Sequence, residues 1–439
     1  MATEIVSPQP GGNASEGVTA GTKTPVWIIN ATRPSQGVGD VICEDRTVLS
    51  NKVINPALYV TNERKIMVAP APILDPKPDE VLLHVKVTGI CGSDVHLWKS
   101  GGIGPQRVES TYILGHETAG VVVKLGSNVR DFKVGDRVAV EPQMPCDQCY
   151  LCREGRHNLC QGVAFSGVYP TNGSLQRFKT HAAKWLHKIP DTISYTQAAL
   201  LEPLSVILHA INQSKLSVGK GVSIHGAGPI GLVALVAARA SGAYPISITD
   251  IEPGRLEFAK KLVPTVFTYQ SQRDAIPEEN AINIRKLFGA GVPSQVAVTE
   301  NEYSAPITCL ECTGIESSVA TAAYTCRRGG SVMVIGVGKS TMNNVPFMHF
   351  SLSEVRCPVV CIISTHYAQI DLKFINRYRD TWPAGIQAMK GGIINLDALV
   401  THTFPLEQAD EALTLASDPS KGSIKVHVVD DVDVQIVGL

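Results

Sequence analysis

Four cysteines, Cys146, Cys149, Cys152 and Cys160, fall within one short segment at the spacing C-x2-C-x2-C-x7-C. Thiolates so placed suit a tetrahedral zinc with no open coordination position, the mark of a structural site. Iron–sulfur clusters also take four cysteines, but nothing else in the chain asks for one. A second set is dispersed: Cys91 in GICGSD, His116 and Glu117 in GHE, and Glu202 in LEP. Each alone is a poor signal, since a single Cys is usually a small core residue. Together they have the mixed ligand types of a catalytic zinc that keeps one position for water or substrate.

A third constellation is the turn Gly226-x-Gly228-x-x-Gly231, which follows the apolar run GVSIH and opens an apolar helix. Glycines there permit a tight turn and close approach of a pyrophosphate to the helix N-terminus. Asp250 lies 19 residues beyond Gly231, at the end of the next apolar run, where an acid holds ribose hydroxyls and repels a 2′-phosphate. NAD is therefore expected rather than NADP, although Arg255 stands near enough to stack on adenine or meet a phosphate.

These residues need two kinds of scaffold. From Ala57 to Gly89 the runs ALYV, KIMVA and VLLHVKVTG read as strands, and AGVVVKLG and GDRVAVEP continue a β-rich domain. From about Tyr195 the pattern turns helical, and GVSIH, the glycine turn, the helix after it and ISITD form a βαβ unit. RLEFAKKL, PITCLECTG, SSVATAAYTC and GSVMVIGVG extend it as helix, strand, helix and strand. The expected class is α/β: a β-rich catalytic domain over 57–203 and 351–439, and a Rossmann doubly wound parallel sheet over 204–350. Residues 1–56 are expected to be an extension, largely disordered.

The 439 residues carry 39 basic and 40 acidic side chains, so the chain offers no general attraction to nucleic acid or an anionic membrane. No apolar run approaches the roughly 20 residues of a membrane span, and MATEIVSPQPGGNASEG resembles neither a secretory signal nor a transit peptide. A cytoplasmic protein with a small-molecule ligand is expected. The odd count of 11 cysteines, four of them crowded together, fits metal ligation in a reducing compartment better than disulfides.

GICGSDVHLW, GIGP, LGHETAG, GDRVAVEP, the four-cysteine segment, LEPLSV, GAGPIG, ECTGIESS, VIGVGK, RYRDTWP and LVTHTFPLE, in this order, resemble the zinc-containing medium-chain dehydrogenases, and within them the polyol (sorbitol, xylitol, L-arabinitol) branch. The resemblance runs from about Asn55 to Val429. It implies a GroES-like fold for the β-rich domain, Cys91, His116 and Glu117 as catalytic zinc ligands, and Glu202 as a carboxylate that binds the metal directly or through its water. It also implies cofactor contacts from Pro229, Ile230, Asp250, Arg255 and Ile335, with Arg377 near the nicotinamide end and the substrate and Asn376 beside it. A homotetramer is implied as well.

The reaction so implied is reversible oxidation of a secondary alcohol of a polyol to a ketone, with zinc as Lewis acid and NAD as hydride acceptor. Ser93, with His96 or a Glu202-bound water, would carry the alcohol proton outward. Leu97 and Asn376 replace aromatic residues of the branch, which motivates a rival reading as an alcohol dehydrogenase of a specialised pathway acting on a non-polyol secondary alcohol. A catalytically silent NAD-binding scaffold is the reading from another class. The apolar insert RCPVVCIISTHYAQI, within residues 355–370, has no counterpart in the branch and reads either as a translated intron or as a genuine loop or strand at a subunit interface.

Overall fold

The computed structural model describes residues 54–432, apart from 105, 215, 293–300, 340 and 346–369. The expected disorder of the N-terminal extension and the nature of the 355–370 insert thus fall outside the described residues, except that Ile54, Asn55 and Pro56 are described and Ile370 is buried in the core. Among the described residues no helix is long and apolar enough to cross a membrane.

The strand Glu80–Gly89 organises the first domain, because EVLLHVKVTG is long, β-branched and buried on both faces. It pairs antiparallel with Glu117–Leu125, Phe178–Ala182 and Lys425–Val429 in a seven-stranded sheet that also holds Arg137–Val140, Leu186–Lys188 and Val400–Pro405. A three-stranded sheet of Ile66–Ala71, Asn55–Val60 and Tyr112–Ile113 packs beside it. Strand Asn55–Val60 begins two residues before the expected boundary at 57.

The second domain is a six-stranded parallel sheet. Its order is Phe267–Gln270, Ile246–Asp250, Val222–His225, Thr308–Glu311, Ser331–Val334 and Asp371–Phe374, so counting strands along the chain gives 3-2-1-4-5-6. That is the doubly wound dinucleotide-binding topology, with its switch point between the first and fourth strands. The helix Pro229–Ala240 crosses the sheet with Leu232, Ala234, Leu235, Ala237 and Ala238 fully buried, against the helix Leu201–Ser214. Each large apolar side chain so buried contributes about 1.5–3 kcal/mol.

The expected end of this domain at residue 350 stops one strand short. Asp371–Phe374 completes the sheet, because the edge of Ser331–Val334 needs a parallel partner. The chain returns to the first domain only after the helix Trp382–Lys390, which packs on Leu201–Ser214 through Gly385. The strand Phe267–Gln270 and the helix Pro277–Leu287 also carry no pattern that the sequence reading assigned.

Candidate active site

Cys91 is the N-cap of the helix Gly92–Lys99. Its Sγ accepts from the Ser93 N–H at 3.5 Å, while Asp94 closes a capping box by accepting from the Cys91 N–H at 2.9 Å. Across from Cys91, His116 and Glu117 enter the strand Glu117–Leu125, and the ligand atoms of Cys91, His116 and Glu117 all lie within 4.8 Å of one another.

Asp94, fully buried, accepts from the Gly115 N–H at 3.2 Å and lies 3.5 Å from His116 Nδ1, which leaves Nε2 for a metal. A carboxylate behind a ligating imidazole fixes its ring and tautomer. Burial alone would lower the His116 pKa, but Asp94 and Cys91 outweigh it and hold the pKa well above the ordinary value. The pocket therefore favours positive charge strongly, as a cation site must.

Glu117 is 1% exposed, and both of its oxygens accept from Lys425 Nζ, at 2.6 and 2.8 Å. Lys425 also donates to the Ile90 carbonyl. Glu202 stands in the first turn of Leu201–Ser214, beside the trio rather than within it. Burial pushes its pKa up to about 7, against the attraction of His116. Arg377, with φ of +57°, holds its guanidinium 4.0 Å over the Phe165 ring, whose centroid is 5.6 Å from that of His116. Ser93 is half-buried and His96 is exposed on the helix Gly92–Lys99. Leu97, by contrast, is fully buried in an apolar cluster with Leu58, Val60 and Leu114.

The four sulfurs of Cys146, Cys149, Cys152 and Cys160 also lie within 4.8 Å of one another. A tetrahedron of 2.3 Å zinc–sulfur bonds needs sulfur separations of about 3.8 Å, and Cys149 and Cys152 stand 3.5 Å apart. Asp147, with φ of +61°, turns the chain so that the Cys149 N–H donates to Cys146 Sγ at 3.4 Å. Backbone N–H groups of Gln148 and Cys149 pull the Cys146 thiol down to about 6, whereas desolvation and the neighbouring sulfurs push Cys152 up to about 12. One thiolate forms readily and the next resists, a conflict that a bound dication resolves. Both donor sets fit zinc.

At the switch point Gly226 takes φ of +99°, and a Cβ there would strike Thr313 at 2.7 Å; a Cβ on Gly231 would lie 1.8 Å from the Gly226 carbonyl. Gly228, the helix N-cap, has only Arg255 Nη1 nearby, at 3.8 Å, so the space above the turn is free for a pyrophosphate. Pro229 is the first residue of the helix and, with Ile230, is half-buried. Asp250 Oδ2 accepts from the Ala227 N–H at 2.7 Å and Oδ1 from the Glu252 N–H at 2.9 Å, with Arg255 3.8 Å from Oδ2. Ile335 follows the fifth strand and is half-buried. Asn376 instead turns its amide to the Asn158 carbonyl, 3.2 Å away.

Residues 77–191 match the alcohol dehydrogenase GroES-like domain, and residues 229–377 match the zinc-binding dehydrogenase domain. An L-arabinitol 4-dehydrogenase of Aspergillus oryzae is 48% identical over 353 residues, covering 80% of this chain and 87% of that protein. The chain belongs to the zinc-binding dehydrogenases. A sorbitol dehydrogenase of Bos taurus is 39% identical over 358 residues, 82% of this chain and 92% of that protein. Among solved structures, L-idonate 5-dehydrogenase of Escherichia coli superposes with a TM-score of 0.72 at 26% identity, over 85% of this chain and 98% of that one. As a zinc-binding dehydrogenase, the protein is an oxidoreductase whose cofactors are NAD and zinc.

Asp94 and Lys425 are the site residues that sequence reasoning missed. C-x-x-D at a helix start was a capping signal for Asp94. Lys425 offered only a lysine within an apolar strand.

Proposed function

We propose that the protein oxidises a secondary hydroxyl of a small polyol, of the L-arabinitol, xylitol or sorbitol type, to the ketone with NAD. The convergence of Cys91, His116 and Glu117 beside Glu202 carries this reading, together with the identity to arabinitol and sorbitol dehydrogenases. Zinc, when bound, supplies Lewis acidity toward the substrate's hydroxyl oxygen. Cys91, His116 and Glu117 would hold it, with Glu202 as a direct or water-mediated fourth ligand.

The rest falls to the chain's own side chains. Ser93, at the mouth of the Cys91 cap, would accept the hydroxyl proton and pass it toward the exposed His96. Arg377 would orient substrate oxygens, its guanidinium held flat on Phe165. Gly226, Gly228, Pro229, Ile230 and Gly231 would seat the pyrophosphate, Asp250 and Arg255 the adenosine end, and Ile335, Asn376 and Arg377 the nicotinamide end. Cys146, Cys149, Cys152 and Cys160 would hold the structural zinc. A homotetramer in the cytoplasm belongs to the same reading, by family resemblance.

Leu97 packs in the core, which weighs against the non-polyol rival. NAD and NADP reduction should be measured over a panel of polyols and simple secondary alcohols. Rapid NAD reduction with L-arabinitol or xylitol is expected; turnover of simple alcohols alone would overturn the polyol reading, and no turnover by zinc-loaded protein would favour a silent scaffold.

A further inference from the structure

The four-cysteine lobe is bonded to the segment that carries Arg377. Asn158, 5% exposed and two residues before Cys160, donates from Nδ2 to the Asn376 carbonyl at 2.9 Å, and Asn376 Nδ2 returns a bond to the Asn158 carbonyl at 3.2 Å. Arg379 Nη1 donates to the Gly155 carbonyl at 2.7 Å. On the other flank, Gln143 Nε2 donates to the Tyr378 carbonyl at 2.9 Å while also bonding Glu141.

These bonds bracket backbone that does not hold itself. Arg377 and Asp380 both lie in the left-handed region, with φ of +57° and +54°. Side chains with a Cβ stay there only where the surroundings over-determine the conformation. Three residues of the segment, 376, 378 and 379, are tied to the lobe or to the strand Gln143–Met144 before it, and between them Arg377 projects over Phe165 beside His116. Neither zinc ligation nor cofactor binding calls for the Asn158 amide.

We infer that Asn158 is a positioning residue for Arg377, so that the zinc-bearing lobe sets the substrate side of the active site as well as its own fold. The inference rests on the reading of Arg377 as a substrate-end residue. The tests use the full-length zinc-loaded protein and L-arabinitol or xylitol as substrate. Asn158→Ala is expected to keep both zinc equivalents and to lose about tenfold in kcat/KM for the polyol. Hydrogen exchange in the peptide spanning 376–380 should accelerate. On an Arg377→Ala background the same change should add nothing, whereas Leu159→Ala, on an exposed neighbour in the lobe, should leave kinetics unchanged.

Impaired Arg377→Ala with wild-type Asn158→Ala kinetics would overturn the positioning role. Wild-type kinetics for Arg377→Ala would overturn the underlying reading instead. Should Asn158→Ala shed the lobe's zinc, Arg379→Met, which removes the tether to Gly155, carries the same cycle: losses additive with Arg377→Ala refute the inference, and a shared loss supports it.

Discussion

Lys425 Nζ bridges both carboxylate oxygens of Glu117, at 2.6 and 2.8 Å, in a pair that is almost wholly buried. Glu117 outweighs the burial that would otherwise lower the Lys425 pKa, and holds it above the ordinary value. Removing one partner of such a pair strands the other, at about 3–5 kcal/mol. Lys425→Met should lower unfolding stability by that amount in chelator-treated protein and by less in zinc-loaded protein, where the metal takes over the compensation of Glu117. Urea titrations with and without zinc decide it; equal losses in the two states would place Glu117 outside the metal site.

The four-cysteine site predicts a clean stoichiometric change. Cys160→Ser should remove one zinc equivalent per subunit, leave the other in place, and cost about 4 kcal/mol or more, the range for losing a structural metal. Metal analysis alongside thermal melts tests this, and retention of both equivalents would contradict the assignment.

Asp250, the proposed ribose-binding residue, is bonded to the glycine turn through the Ala227 N–H. Asp250→Ser should raise KM for NAD about tenfold, equivalent to about 1.4 kcal/mol, while the NADP to NAD ratio of kcat/KM rises. An unchanged ratio would remove Asp250 from the ribose site.

Three histidines, His181, His225 and His427, are buried at 0–1% exposure, and burial pushes each down to about 3. Folded, they stay neutral where the unfolded chain, titrating near 6.5, binds protons. Their contribution to stability is intact above about pH 6.5 and is lost as pH falls toward 3, at about 1.4 kcal/mol per pH unit for each. Asp430 adds to this further down, because His84 and Arg177 outweigh its burial and depress its pKa. Denaturation midpoints taken at pH 8, 7, 6 and 5 should be flat over the first step and fall steeply over the last; a flat series to pH 5 would show these imidazoles to be reached by water.

What was legible in the sequence follows how local each feature is. Four cysteines on one turn declare a metal by spacing, and the glycine turn declares itself by the strand before it and the acid after it. Cys91, His116, Glu117 and Glu202 sit on three separate elements, so residue types suggested them as a set and the family resemblance gave each its role. Lys425 reaches Glu117 across 308 residues of chain and Asn158 reaches Asn376 across 218, and no periodicity encodes such meetings. The boundary at 350 failed for a related reason: DLKF is too short and polar to announce the strand that the sheet edge makes of it.

The strand Lys425–Val429 lies between Glu80–Gly89 and Val400–Pro405 in the seven-stranded sheet, and Asp430 then receives Arg177 and His84. During synthesis, the six parallel strands are all present once Phe374 has been made, but the first domain waits for the later strand Lys425–Val429. A nascent polypeptide stopped short of Lys425 has every sulfur and imidazole ligand yet leaves Glu117 and Arg177 without these partners. Formation of the Glu117 end of the candidate metal site is therefore coupled to synthesis of Lys425–Val429, and a chain ended before that strand betrays itself by an open sheet that proteases and chaperones can recognise.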